Sequence, residues 1–141
     1  MAHYAFLDEN NVVTEVIVGR DETDGNWEVH YAAVRGLQAD RCKRTSYNTT
    51  RNQHHNGGQP FRGNYAGVGY SYDPAHDVFL PPQPFASWVV DPATATWVAP
   101  VAKPSDDLPA GNTWRWSESG LRWEAMPIPT RRPRPVVPQT P

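Results

Sequence analysis

Residues 64–104 read NYAGVGYSYDPAHDVFLPPQPFASWVVDPATATWVAPVAKP. Tyr65, Tyr70, Tyr72, Phe79, Phe85, Trp88 and Trp97 are spaced between turns built on Asp-Pro and runs of proline. Aromatic and β-branched residues between such breakers mark short strands and oppose long helices. Gly69–Tyr72 and Val78–Leu80 flank Asp73-Pro74-Ala75-His76-Asp77 and are expected to pair as a hairpin. Pro81-Pro82-Gln83-Pro84 then forces an extended bridge, because proline fixes φ and donates no backbone hydrogen bond. Ser87–Val90 and Thr96–Ala99 flank Asp91-Pro92-Ala93-Thr94-Ala95 as a second hairpin.

This hairpin repeats further on. Trp114-Arg115-Trp116-Ser117, a polar turn and Arg122-Trp123-Glu124-Ala125-Met126-Pro127 follow the same plan of Trp strand, turn, Trp strand and proline. Isolated hairpins are marginal in water, so these are expected to lean on each other or on a partner. Tyr70, Tyr72, Trp88, Trp97, Trp116 and Trp123 are the expected core aromatics.

Toward the N-terminus, HYAFLDENNVVTEVIVG (residues 3–19) alternates as a β-hairpin with Asp8–Asn11 as its loop. Asn26 is placed to cap a helix over Trp27–Val34, with Trp27, Tyr31 and Val34 on one side and Gly36 ending it. Lys43–Tyr47 is a further strand candidate. Asn48–Gln59 is polar, contains Gly57-Gly58, and reads as a long exposed loop that a partner would order.

Composition agrees with a mainly β chain of short antiparallel hairpins, one short helix and an extended Pro/Arg-rich C-terminal arm. The hydrophobic fraction is 38%, below the roughly 45–50% of ordinary globular chains. Sixteen aromatic residues must therefore supply most of the burial. The expected division is a β-rich core over residues 1–104, a Trp hairpin over 105–126 and an arm over 127–141. That arm, PIPTRRPRPVVPQTP, has six prolines and three arginines with no acid. Setting those arginines aside from the total of −2 leaves the rest of the chain near −5.

Arg outnumbers Lys by eleven to two. Its rigid multidentate fork suits fixed interfaces. Residues 41–63 hold five cations and no acid, so Arg44, Arg51 and Arg62, with Arg131, Arg132 and Arg134 of the arm, are the expected partner contacts. The acidic balance of the body argues against nucleic acid as that partner.

Catalytic and metal signals are weak. His54-His55 has no Cys or His nearby at ligand spacing. The glycines of Gly63–Gly69 are followed by neither a helix nor a Lys-Ser or Lys-Thr pair, as a phosphate cradle requires. Asp73, Asp77 and Asp91 sit where turn-capping carboxylates belong. No cofactor, metal or enzymatic activity is expected. Cys42 is alone, which fits a reducing compartment. Met1–Tyr4 lacks the cationic start of a secretory leader, and no apolar run is long enough to span a membrane.

The chain resembles a family of small virion proteins of tailed bacteriophages found in marine, cyanobacterial and actinobacterial phages. The resemblance rests on Ala5–Val18 (AFLDENNVVTEVIV), Lys43–Thr49 (KRTSYNT) and Arg62–Pro84 (RGNYAGVGYSYDPAHDVFLPPQP), with Ser87-Trp88-Val89 and Trp97. It implies a virion component made in the host cytoplasm. The expected role is a capsid decoration or cement protein contacting the major capsid protein and copies of itself. The alternative is a tail, neck or baseplate accessory, possible glycan contact included. Residues after Lys103 depart from the family pattern.

Overall fold

The computed structural model describes residues 2–21, 23 and 25–129. It is mainly β. β1 (Ala2–Leu7) and β2 (Val13–Gly19) form the N-terminal hairpin, and β3 (Cys42–Thr45) adds on the other side of β1, giving the antiparallel order β2-β1-β3. Asn11 takes the left-handed conformation that closes the loop, at φ 60°. The Asp8 carboxylate accepts from the backbone N–H groups of Asn10 and Val12.

As the central strand, β1 is covered on both faces. Ala2, Tyr4 and Phe6 pack with Ala32 and Cys42, flanked by Trp27, Tyr31 and Leu37. Ala5 and Leu7 pack the opposite way, with Val13, Ala66, Tyr72 and Phe79. This explains why the strand is nearly continuous in apolar residues rather than alternating.

α1 (Trp27–Val34) covers the first face. Asn26 Oδ1 accepts from the Glu28 N–H at 3.2 Å, as its cap position predicts. The helix ends in a Schellman turn. Gly36, at φ +68°, donates to the Ala33 carbonyl, and Leu37 donates to the Ala32 carbonyl. Leu37 is thereby folded back onto the Ala32 cluster, while Val34 is 66% exposed. The expected apolar stripe of Trp27, Tyr31 and Val34 is corrected at its last member.

The second face is covered by the hairpin β6 (Ser71–Asp73) and β7 (Val78–Leu80). β7 is also buried on both sides: Phe79 faces the Leu7 cluster, whereas Val78 and Leu80 pack with Ala95, Val90 and Trp97. The last group belongs to β8 (Val89–Asp91) and β9 (Thr96–Val98) with their turn. Residues up to Val98 thus form a stack of helix, three-stranded sheet, hairpin and hairpin. A fully buried side chain of the size of Tyr4 or Phe79 contributes about 1.5–3 kcal/mol.

The chain divides into two compact units, the second beginning at Ala99. The second unit contains the hairpin β10 (Asn112–Ser117) and β11 (Arg122–Pro127), in which Trp116 pairs directly with Trp123 at 5.5 Å between ring centroids.

The hairpins β6–β7, β8–β9 and β10–β11 share one turn. Their last paired residues are Asp73 and Val78, Asp91 and Thr96, and Ser117 and Arg122. Each encloses four residues, and the fourth, Asp77, Ala95 or Leu121, lies near φ +50°. Each first residue caps the turn: Asp73 accepts from Ala75, Asp91 from Ala93, and the Ser117 hydroxyl from Gly120. The repeat seen in the two Trp hairpins therefore extends to a third copy, β6–β7.

Asn48–Gln59 departs from the expected exposed loop over its first half. β4 (Thr49–Thr50) and β5 (Gln53–His54) pair tightly. Arg51 and Asn52 between them both have positive φ, as a two-residue hairpin turn of the I′ kind requires. Thr49 is fully buried; its hydroxyl accepts from the Phe61 N–H and its carbonyl from the Tyr65 N–H. Residues 55–60 remain exposed.

Candidate contact surfaces

Asn64 lies where the hairpins meet. It is buried, and its amide donates to the Phe79 and Ala95 carbonyls, each at 2.7 Å. Its Oδ1 accepts from the Arg51 N–H at 2.9 Å. One side chain therefore pins β4–β5, β6–β7 and the β8–β9 turn. Gly63 precedes it at φ +75°, and an added Cβ would stand 2.5 Å from the Ala95 Cβ. Only glycine both adopts this φ and leaves room for the Ala95 and Val78 side chains.

Arg62 was an expected partner contact, and the structure places it inside the fold. Its side chain is 14% exposed. It binds Glu28 of α1 at 2.7 Å, Asp77 of the β6–β7 turn at 2.9 Å and the Arg44 carbonyl at 3.0 Å. Glu28 also accepts from the Arg44 N–H at 2.6 Å. The acids that balance Arg62 thus come from distant parts of the chain. Burial alone would lower the Arg62 pKa, but the hydrogen bond and charge of Glu28, with Asp77, outweigh it and the net shift is upward. The Tyr72 hydroxyl donates to Asp77; burial first, then this bond, raises its pKa.

Arg44 lays its guanidinium 3.8 Å from the Phe61 ring centroid. Arg51 is exposed at the tip of β4–β5. Arg131, Arg132 and Arg134 lie outside the described residues. Among the expected core aromatics, Tyr72 and Trp116 are buried. Tyr70 packs at the edge of the Leu7 cluster, and Trp97 packs on Leu80 and Ala95 while donating to the Pro81 carbonyl at 2.7 Å. Trp123 rests on Trp116 and donates to the Val101 carbonyl. Trp88 stands outside the three clusters and packs on Phe85 at 5.5 Å.

His54 and His55 serve turns. His54 Nδ1 accepts from the N–H groups of Asn56 and Gly58, and His55 pairs with the Thr50 hydroxyl. Cys42 is fully buried in the α1 cluster. Burial, then the Glu28 charge, pushes its thiol up to about 12, overriding Arg62 and Lys43, whose charges act the other way.

On the surface, His3 of β1 holds Tyr47 and Tyr65 edge-on, each at 5.4 Å. Tyr47 is 55% and Tyr65 37% exposed. A cleft of about 160 Å³ beside them is lined by His3, Arg44, Thr45, Ser46, Tyr47 and Asn48. On β8–β9, Val89 and Val98 oppose each other and both are exposed. Sequence reasoning missed Glu28, Asn64 and Asp77 as the bracing groups, since nothing local distinguishes them from ordinary surface polar residues. Comparison with family models, curated proteins and solved structures finds no match.

Proposed function

We propose that this chain is a non-enzymatic structural protein of a tailed-phage virion, decorating the capsid and bridging its subunits. The observation that carries the contact role is the outward display of aromatic and apolar side chains, His3-Tyr47-Tyr65 and Val89-Val98, on short strands braced from within. The charged groups that resemble catalytic constellations, Arg62, Glu28, Asp77 and Tyr72, are engaged with one another as internal braces. Rigid presentation lowers the entropy lost on docking. Binding the assembled shell, and not its dissociated subunits, stabilises the shell by mass action. The phage assignment rests on the resemblance of Ala5–Val18, Lys43–Thr49 and Arg62–Pro84. In the fold these segments are the N-terminal hairpin, the β3 edge and the braced hub.

Quantitative mass spectrometry of purified particles tests the assignment. Decoration requires a copy number on the scale of the major capsid protein. Absence from the particle would refute it. A chain truncated after Met126 should remain β-rich and bind shells more weakly; unchanged occupancy would remove the arm from the mechanism.

The polar cleft beside exposed Tyr47 favours a second reading, a tail or baseplate accessory that stacks a sugar on the tyrosine. Copy number far below that of the capsid protein, with glycan binding abolished by Tyr47→Ala, would replace the first reading.

A further inference from the structure

In the second unit, a shallow cleft of about 360 Å³ runs beside β10. Lys103, Pro104, Asp106, Asp107, Leu108 and Trp114 are among the residues that line it. The Trp114 indole donates to the Asp106 carbonyl at 3.3 Å, which fixes the acidic segment against the aromatic one. Asp106 and Asp107 are exposed, and among the described residues neither is in an ion pair. Two carboxylates against Lys103 leave the cleft acidic.

We propose that this cleft receives the C-terminal Arg/Pro segment of a second copy of this chain. The occupant is chosen by chemistry. Residues 130–141 read TRRPRPVVPQTP, three arginines without an acid. Proline-rich segments dock as polyproline II helices in grooves lined by aromatic rings, and arginines in them pair with flanking acids. That helix has about three residues per turn. Arg132, Pro135 and Pro138 are spaced by three, so when wound this way they share one edge. Prolines on that edge fit Trp114 and Leu108, and Arg132 fits Asp106 or Asp107.

The geometry favours a second copy over the chain's own segment. Pro127 is paired with Asn112, and the next residue, Ile128, donates to the Gly111 carbonyl at 2.7 Å. The chain thus leaves the hairpin past the start of β10, whereas Thr113 and Trp114 lie back toward the turn. Filling its own cleft would require the chain to turn back after Pro129, and proline-rich sequence such as TRRPRPVVPQTP disfavours tight turning. A segment docked in a neighbour's cleft makes a head-to-tail contact, which propagates into rings or open arrays. This inference stands independently of the virion reading, because it invokes only another copy.

Sedimentation of the full-length chain over a range of concentrations tests it, with a synthetic peptide of residues 128–141 as competitor. The cleft variant is Asp106→Asn with Asp107→Asn, which keeps the backbone bond to Trp114. The tail variant is Arg132→Ala with Arg134→Ala. The parent should self-associate, less at high salt, and the peptide should dissociate it. Each double variant should need about tenfold or more protein to associate. Mixing the two should restore dimers and no larger species, since only one intact cleft and one intact tail remain. A parent that stays monomeric, variants that associate like the parent, or a mixture no larger than its components would overturn the proposal. So would a parent that binds the peptide only after its own tail is removed, because that places the segment in its own cleft.

Discussion

Hairpins β6–β7 and β10–β11 share one turn and differ in almost everything around it. Both enclose four residues, both end the turn in a left-handed residue, and both cap it with the first side chain. Yet every residue of β7 is buried, while β10–β11 buries Trp116 and leaves most of its length half-exposed or exposed. The turn is a local matter of a few dihedrals and one side-chain acceptor. Burial is decided by what else folds over the strands, and around β7 that is a sheet on one side and a further hairpin on the other. The contrast separates a braced scaffold from a unit that offers its surface outward.

Phe79→Ala should have the largest effect on this contrast. Removing a fully buried ring between two layers should lower stability by about 3–5 kcal/mol. Thermal unfolding should show it as loss of the main transition, and Asn64→Leu should follow at about 2–4 kcal/mol, since it leaves the Phe79 and Ala95 carbonyls unpaired. If Asn64→Leu melts with the parent, the hub is not a brace. Arg62→Met should cost about 1–3 kcal/mol, reduced from the fully buried case because Asp77 is more than half exposed. A variant as stable as the parent would return Arg62 to the list of partner contacts.

Alkaline pH should weaken the scaffold specifically. Cys42 ionises near 9 when unfolded and near 12 when folded. The unfolded state therefore gains charge first, and stability present below pH 9 declines as pH rises toward 12. Tyr72, whose folded pKa is also raised, acts in the same direction above its ordinary value near 10. Chemical denaturation at successive pH values should show a smaller alkaline decline in Cys42→Ala than in the parent; equal declines would show that the buried thiol has no part in it.

The smallest effect belongs to the exposed turn. Leu121→Gly relieves a left-handed residue and should stabilise β10–β11 by about 0.5–1 kcal/mol. Trp fluorescence during unfolding follows this hairpin through Trp116 and Trp123. A destabilised variant would mean that the leucine side chain does more than close the turn.

The elements that repeat locally were legible in the sequence. Asp8–Asn11, Asn26 with Gly36, and the Asp73 and Asp91 turns announce themselves by residue type, and the structure places each as read. The β4–β5 turn did not, because Arg51-Asn52 lacks the glycine that usually marks positive φ. Its strained backbone is held instead by the Asn64 side chain and the Gly63 carbonyl, which lie in a later segment, beyond the reach of a local pattern. Arg62 was misread for the same reason: a run without acids looked uncompensated, and Glu28 and Asp77 arrive only through tertiary packing. The exposed aromatic cluster of His3, Tyr47 and Tyr65 was likewise invisible, as its members come from three separate segments.

Amide hydrogen exchange on the full-length chain tests the division most directly. The account predicts that the amides of Asn52, His55, Ala66 and Phe79 exchange as slowly as those of β1, because each donates within the braced scaffold. It predicts faster exchange throughout β10–β11. Rapid exchange at Asn52 and His55, or protection of β10–β11 equal to that of β1, would contradict it.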